Sequence, residues 1–128
     1  MNTSPNLFAR IGRWFDPRGR SLSDYGFILN RLTALGLTLY LFLHLIVLGT
    51  LAQGPDAYGV FLEVIENPIM KFGEWLVVAA VFIHGLNGIR IGMNSLGIAV
   101  PRQRETLIVV FILSAAAILF FGWKIFLG

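Results

Sequence analysis

Residues 32–51 read LTALGLTLYLFLHLIVLGTL, twenty positions without one Asp, Glu, Lys or Arg. As a helix rising about 1.5 Å per residue, such a run covers about 30 Å, the hydrocarbon thickness of a bilayer. Only a segment that satisfies its own backbone hydrogen bonds is stable there, so the stretch is read as a transmembrane helix. Residues 106–126 read the same way, with Lys124 as their only charge. Residues 75–89 form a second span, bracketed by Lys71, Glu74 and Arg90, which reaches full length when its ends lie in the interfaces. The expected fold is all-α: three transmembrane helices in an up-down-up bundle.

Composition agrees with this reading. Of the 128 residues, 56% are hydrophobic and only 13% charged, and a soluble domain of that size has no interior to hold so much apolar surface. Residues 27–128 are expected to form the single membrane domain, preceded by a segment of residues 1–26. The first apolar run starts only near Phe27, behind an Arg-rich stretch, so the N-terminus is expected to be retained rather than cleaved as a leader. There is no cysteine, which excludes disulfides, thiol chemistry and iron–sulphur ligation by this chain.

The basic residues are unevenly spread. Arg10, Arg13, Arg18, Arg20 and Arg31 precede or open the first span, and Arg90, Arg102 and Arg104 end the second or join it to the third. The first loop, residues 52–68, has neither Lys nor Arg and carries Asp56, Glu63 and Glu66. The positive-inside rule therefore puts the N-terminus and second loop in the cytoplasm and the C-terminus outside, in a cytoplasmic membrane. The net charge of +3 reports topology, and no nucleic-acid partner is implied. Ahead of the first span, Leu7, Phe8, Ile11, Trp14 and Phe15 recur at helical spacing with Arg10 and Arg13 to one side, until Asp16, Pro17, Arg18 and Gly19 break the pattern. This predicts a short interfacial helix, serving either as a lipid-surface anchor or as a docking segment for a peripheral subunit.

Both histidines, His44 and His84, lie inside predicted spans. A polar group in hydrocarbon needs a partner. One role is an interhelical hydrogen bond, and another is axial ligation of haem iron. Around His84, Ala80 and Gly88 lie a turn to either side and Gly85 and Gly92 add small residues, leaving clearance for a flat porphyrin or for a closely packed helix. His44 is flanked by Tyr40 and Leu48, which favours the hydrogen-bonding role. Arg31 and Arg90, at the ends of the first two spans, suit pairing with haem propionates or a quinone carbonyl, or simple anchoring at the interface.

Ile28-Leu29-Asn30-Arg31-Leu32-Thr33-Ala34 resembles the first-helix signature of the cytochrome b membrane anchor of succinate dehydrogenase, and His84-Gly85-Leu86-Asn87-Gly88-Ile89-Arg90 resembles its second-helix signature, His-xxx-Gly-Ile-Arg. The order and spacing of the two strings extend the resemblance over residues 20–125. It implies a haem b-binding anchor that passes electrons from an iron–sulphur subunit to membrane quinone, assembled with a flavoprotein and a second hydrophobic anchor. His84 then corresponds to a haem ligand and Arg31 to the Arg of the quinone pocket. Asn30 stands where many relatives carry His, Phe27 where some carry a quinone-binding Ser, Ile91 where His often follows the Arg, and Ser95 near an expected Asp. A haem-free structural anchor and a fumarate reductase anchor are the alternatives; a transporter subunit is disfavoured, since no span has a central carboxylate or a Pro break.

Depth bears on whether the histidines share one haem. With Arg31 and Arg90 taken as one level, His44 lies 13 residues (44 − 31), about 20 Å, from it, and His84 lies 6 residues (90 − 84), about 9 Å, from it. That mismatch predicts two haems, a proximal one on His84 and a distal one on His44, each with a second ligand from the partner anchor.

Overall fold

The computed structural model describes residues 6–16 and 18–128; Pro17 and the side chains of Trp14 and Phe15, which belong to the surface-helix pattern, lie outside the described residues. The expected short helix forms as α1, Leu7–Phe15, capped by Asn6, whose Oδ1 accepts from the Ala9 amide at 2.9 Å. Three long helices follow the reading of the spans: α2 over Leu22–Leu51, α4 over Pro68–Ser95 and α5 over Gln103–Leu127. Each is long and apolar enough to cross a membrane.

The helices outrun the apolar stretches, because caps rather than hydropathy decide where a helix begins. Ser21 and Asp24 form a reciprocal capping box at the start of α2: the Asp24 carboxylate accepts from the Ser21 amide at 2.8 Å, and the Ser21 hydroxyl accepts from the Asp24 amide at 3.4 Å. The helix therefore begins ten residues before the charge-free run (32 − 22). Asn67 caps α4 ahead of Pro68, whose missing N–H and fixed φ suit the first helical position. The first loop, read from sequence as a connection, contains a further helix, α3, over Pro55–Ile65, which packs on α2 and α4.

The turn from α4 to α5 is closed by a Schellman motif. The amide of Gly97 donates to Asn94 and that of Ile98 to Met93, at 3.0 and 2.9 Å, with Gly97 at φ 79° where a side chain would be strained.

Helix α4 is central, with α2 on one side and α5 on the other, each antiparallel to it. The small interior holds Leu107 and Val110 with two polar residues, Asn87 and Ser114. Two close approaches set it. Gly26 faces Leu107, whose Cδ1 would stand 2.9 Å from a Cβ at that position, and Gly122 lies against Trp75, whose indole N–H donates to the Ile118 carbonyl at 2.9 Å. Most other large apolar side chains of the three spans, Leu35, Ile46, Ile112 and Leu119 among them, point outward. In a bilayer this is the expected surface, since lipid is as apolar as leucine.

Gly26→Ala should lower the stability of the chain in mixed micelles by about 1 to 3 kcal/mol, as overpacking against a fully buried leucine does. Leu107→Ala should cost less in the Gly26→Ala background than in the unmodified chain, a coupling measured by a double-mutant cycle of denaturant titrations followed by circular dichroism.

Candidate cofactor face around His84

The fold brings five of the polar residues of α2 and α4 into one ladder. Nδ1 of His84 lies 3.1 Å from the Asn30 carbonyl oxygen. A carbonyl only accepts, so the geometry assigns the proton of this bond to Nδ1, and Nε2 lies at the other edge of the ring. The Thr33 hydroxyl is 3.5 Å from the same nitrogen, and donates to the Leu29 carbonyl at 2.7 Å. One turn along α4, the Asn87 amide donates to the Gly26 carbonyl at 3.2 Å, while its oxygen accepts from Nε of Arg90 at 2.9 Å. Asn87 is 2% exposed, so both halves of its amide are used inside the bundle.

The ladder corrects the level assumed from sequence. His84 pairs with Asn30 and Asn87 with Gly26, so Arg31 stands at the depth of His84, whereas Arg90 falls opposite the first turn of α2. The two arginines therefore differ in depth by roughly 10 Å. His44 lies 14 residues along α2 from Asn30 (44 − 30), roughly 20 Å from the depth of His84. The two histidines are further apart than equal arginine levels implied, because the antiparallel register of α2 on α4 is set by the Asn87 and His84 contacts and not by the charges.

Beside His84 the surface of α4 is flat. At about 100° per residue, Gly85, Gly88 and Gly92 fall on one side of the helix, between about 40° and 100° round from His84. A Cβ added at any of the three would meet nothing within 4 Å. These glycines are therefore not packed against another helix of this chain; they border open space next to the half-buried imidazole. Asn30 Oδ1 is buried without a hydrogen-bond partner among the described residues, an unused acceptor one residue from Arg31. An imidazole whose Nε2 is turned away from its interhelical hydrogen bond, a smooth glycine strip and an unsatisfied acceptor could hold a flat prosthetic group.

The other candidates stand apart from this ladder. Arg31 is exposed, with its guanidinium 4.4 Å from the centre of the Phe27 ring. His44 is exposed near the other end of α2, stacked on Tyr40 at 5.4 Å between ring centres, with Nδ1 3.4 Å from the Tyr40 hydroxyl. Among the described residues no group of three or more His, Cys, Asp or Glu could hold a bare metal ion.

The residue that sequence reasoning passed over is Asn87. Its signal was present: an amide in an apolar span, three residues from His84 and three from Arg90, needs a partner on another helix.

Residues 6–121 match the family of succinate dehydrogenase/fumarate reductase transmembrane subunits. The chain belongs to that family. It is 29% identical over 111 residues to the succinate dehydrogenase 2 membrane subunit SdhC of Mycobacterium tuberculosis, covering 84% of this chain and 80% of that protein. It is 32% identical over 101 residues to the succinate dehydrogenase hydrophobic membrane anchor subunit of Halobacterium salinarum, covering 78% of this chain and 75% of the relative. The resemblance seen in the two sequence strings is thus a family membership that spans α1 to α5, and this transmembrane subunit is a multi-pass membrane protein.

Because the acceptor at His84 Nδ1 is a main-chain carbonyl, Thr33→Val should leave the tautomer unchanged. Nitrogen-15 spectra of imidazole-labelled chain should show a protonated Nδ1 in both forms; a protonated Nε2 in the unmodified chain would contradict the assignment.

Proposed function

We propose that this succinate dehydrogenase membrane anchor subunit binds haem b through His84 and conveys electrons from the iron–sulphur subunit to membrane quinone. The observation that carries the reading is the pairing of His84 Nδ1 with the Asn30 carbonyl beside the open strip of Gly85, Gly88 and Gly92. A hydrogen bond at Nδ1 fixes the ring and raises the basicity of Nε2, the nitrogen that would bind iron. When bound, haem b supplies a one-electron relay at low dielectric. The protein's part is to orient the imidazole, keep the face flat and provide cations.

Arg31, at the depth of His84, would offset propionate charge or donate to a quinone carbonyl, and Arg90, held by Asn87, would do the same nearer the Arg-rich end. His44 would bind a second haem, roughly 20 Å away along α2, with Tyr40 against its ring. A second ligand for iron held by His84 would come from a second hydrophobic anchor, since the glycine strip of α4 opens away from this chain's own helices. Succinate oxidation belongs to the flavoprotein and iron–sulphur subunits. The arginine pattern supports a cytoplasmic N-terminus and second loop, an external C-terminus and location in the cytoplasmic membrane.

One observation favours a second reading, a haem-free structural anchor. His84 already has an interhelical partner, which is the role of a packed histidine. Pyridine haemochrome counting against flavin separates the two. Two haems per flavin are expected in the assembled complex, with one lost in His84→Leu and one in His44→Leu. Absence of any cytochrome b band would establish the structural anchor, and one haem per flavin, unaffected by His44→Leu, would remove His44 from the site.

Arg31→Leu should lower quinone reductase activity by about 10- to 100-fold, the cost of a lost charged hydrogen bond, while succinate oxidation by a soluble artificial acceptor is retained. Equal loss of both activities would assign Arg31 to assembly.

A further inference from the structure

Helix α1 is capped at both ends, yet its described side chains are covered on neither face. Asn6 satisfies its first turn. At its other end Arg20 reaches back to donate to the carbonyls of Arg13 and Asp16, and Asp16 Oδ1 accepts from the Arg18 amide at 3.1 Å. Nine residues are too few for a helix to persist in water by propensity alone, so its stability requires burial of an apolar face. The described apolar side chains are bare: Phe8 is 82% exposed, Leu7 66% and Ile11 47%.

The helix cannot travel far to find a partner. Only residues 16–21 separate Phe15 from Leu22, at most about 20 Å of extended chain, so α1 stays beside the interface at which α2 enters the bilayer. On the helix wheel Leu7, Phe8 and Ile11 occupy an arc about 100° wide, with Arg10 to one side and Arg13 nearly opposite. Residues 6–20 carry Arg10, Arg13, Arg18 and Arg20 against a single acid, Asp16. An apolar arc with one long cationic side chain on its flank and another that can snorkel from the polar face suits a surface that is greasy within and anionic above.

We propose that α1 lies in the plane of the membrane as an anionic-lipid anchor, with Leu7, Phe8 and Ile11 among the upper acyl chains and Arg10 and Arg13 on acidic phospholipid headgroups. The contacts from Arg20 join the C-terminal end of α1 to the chain leading into α2.

The test uses the assembled complex, reconstituted in nanodiscs of phosphatidylcholine with or without phosphatidylglycerol, carrying the photocrosslinker p-benzoylphenylalanine in place of Phe8, Ile11 or Ala9. Illumination should give phospholipid adducts from positions 8 and 11 and few from position 9, which faces away from the arc. With phosphatidylglycerol present, Arg10→Gln and Arg13→Gln should each reduce those adducts about five-fold; without it they should have little effect. Adducts to another subunit from positions 8 and 11 would make α1 a docking segment and overturn the proposal. So would the absence of adducts at both positions, or a yield indifferent to phosphatidylglycerol and to both arginines.

Discussion

The buried amide of Asn87 is the constraint on which the arrangement of α2, α4 and α5 rests. In an apolar medium its donor and acceptor must both be used, and they are used once, on the Gly26 carbonyl and the Arg90 guanidinium. That requirement selects one register of α2 on α4 among the many that leucine-rich surfaces permit, because apolar packing in lipid distinguishes poorly between neighbouring registers. It also brings the α2 backbone close enough at Gly26 for Leu107 of α5 to pack against it, so the third helix inherits the placement of the first two.

The depth of every polar residue follows from that register. His84 meets Asn30 one turn from the clasp, Arg31 comes to the level of the imidazole, and Arg90 is drawn toward the start of α2. The same contact orients the ring, since a main-chain carbonyl accepts only from a protonated Nδ1. The helix that supplies the histidine thus receives its orientation from another helix, and its glycine-rich side is left open, where a partner chain can complete it.

The long apolar runs made the spans legible, and so did the family strings around Arg31 and His84. Helix ends were less so: the capping box of Ser21 and Asp24 is visible in the sequence, but hydropathy alone moved the start of α2 inward by ten residues. Helix α3 escaped notice because its eleven residues are too few to span a membrane and lie in a stretch bounded by Gly54, Pro55, Asn67 and Pro68, which reads as a loop. Asn87 stood in plain view within the second string, yet its partner lies 61 residues away on a different helix.

By itself the sequence determined that this chain crosses a membrane three times, that its arginines gather at one end, and that two histidines lie in apolar spans, because length, charge and hydropathy act locally along the chain. Only the tertiary structure decided which carbonyl holds His84, that Arg31 rather than Arg90 shares its depth, and that Gly85, Gly88 and Gly92 border open space instead of a helix. Those facts depend on the register between helices, which is set by a few buried hydrogen bonds between residues far apart in sequence.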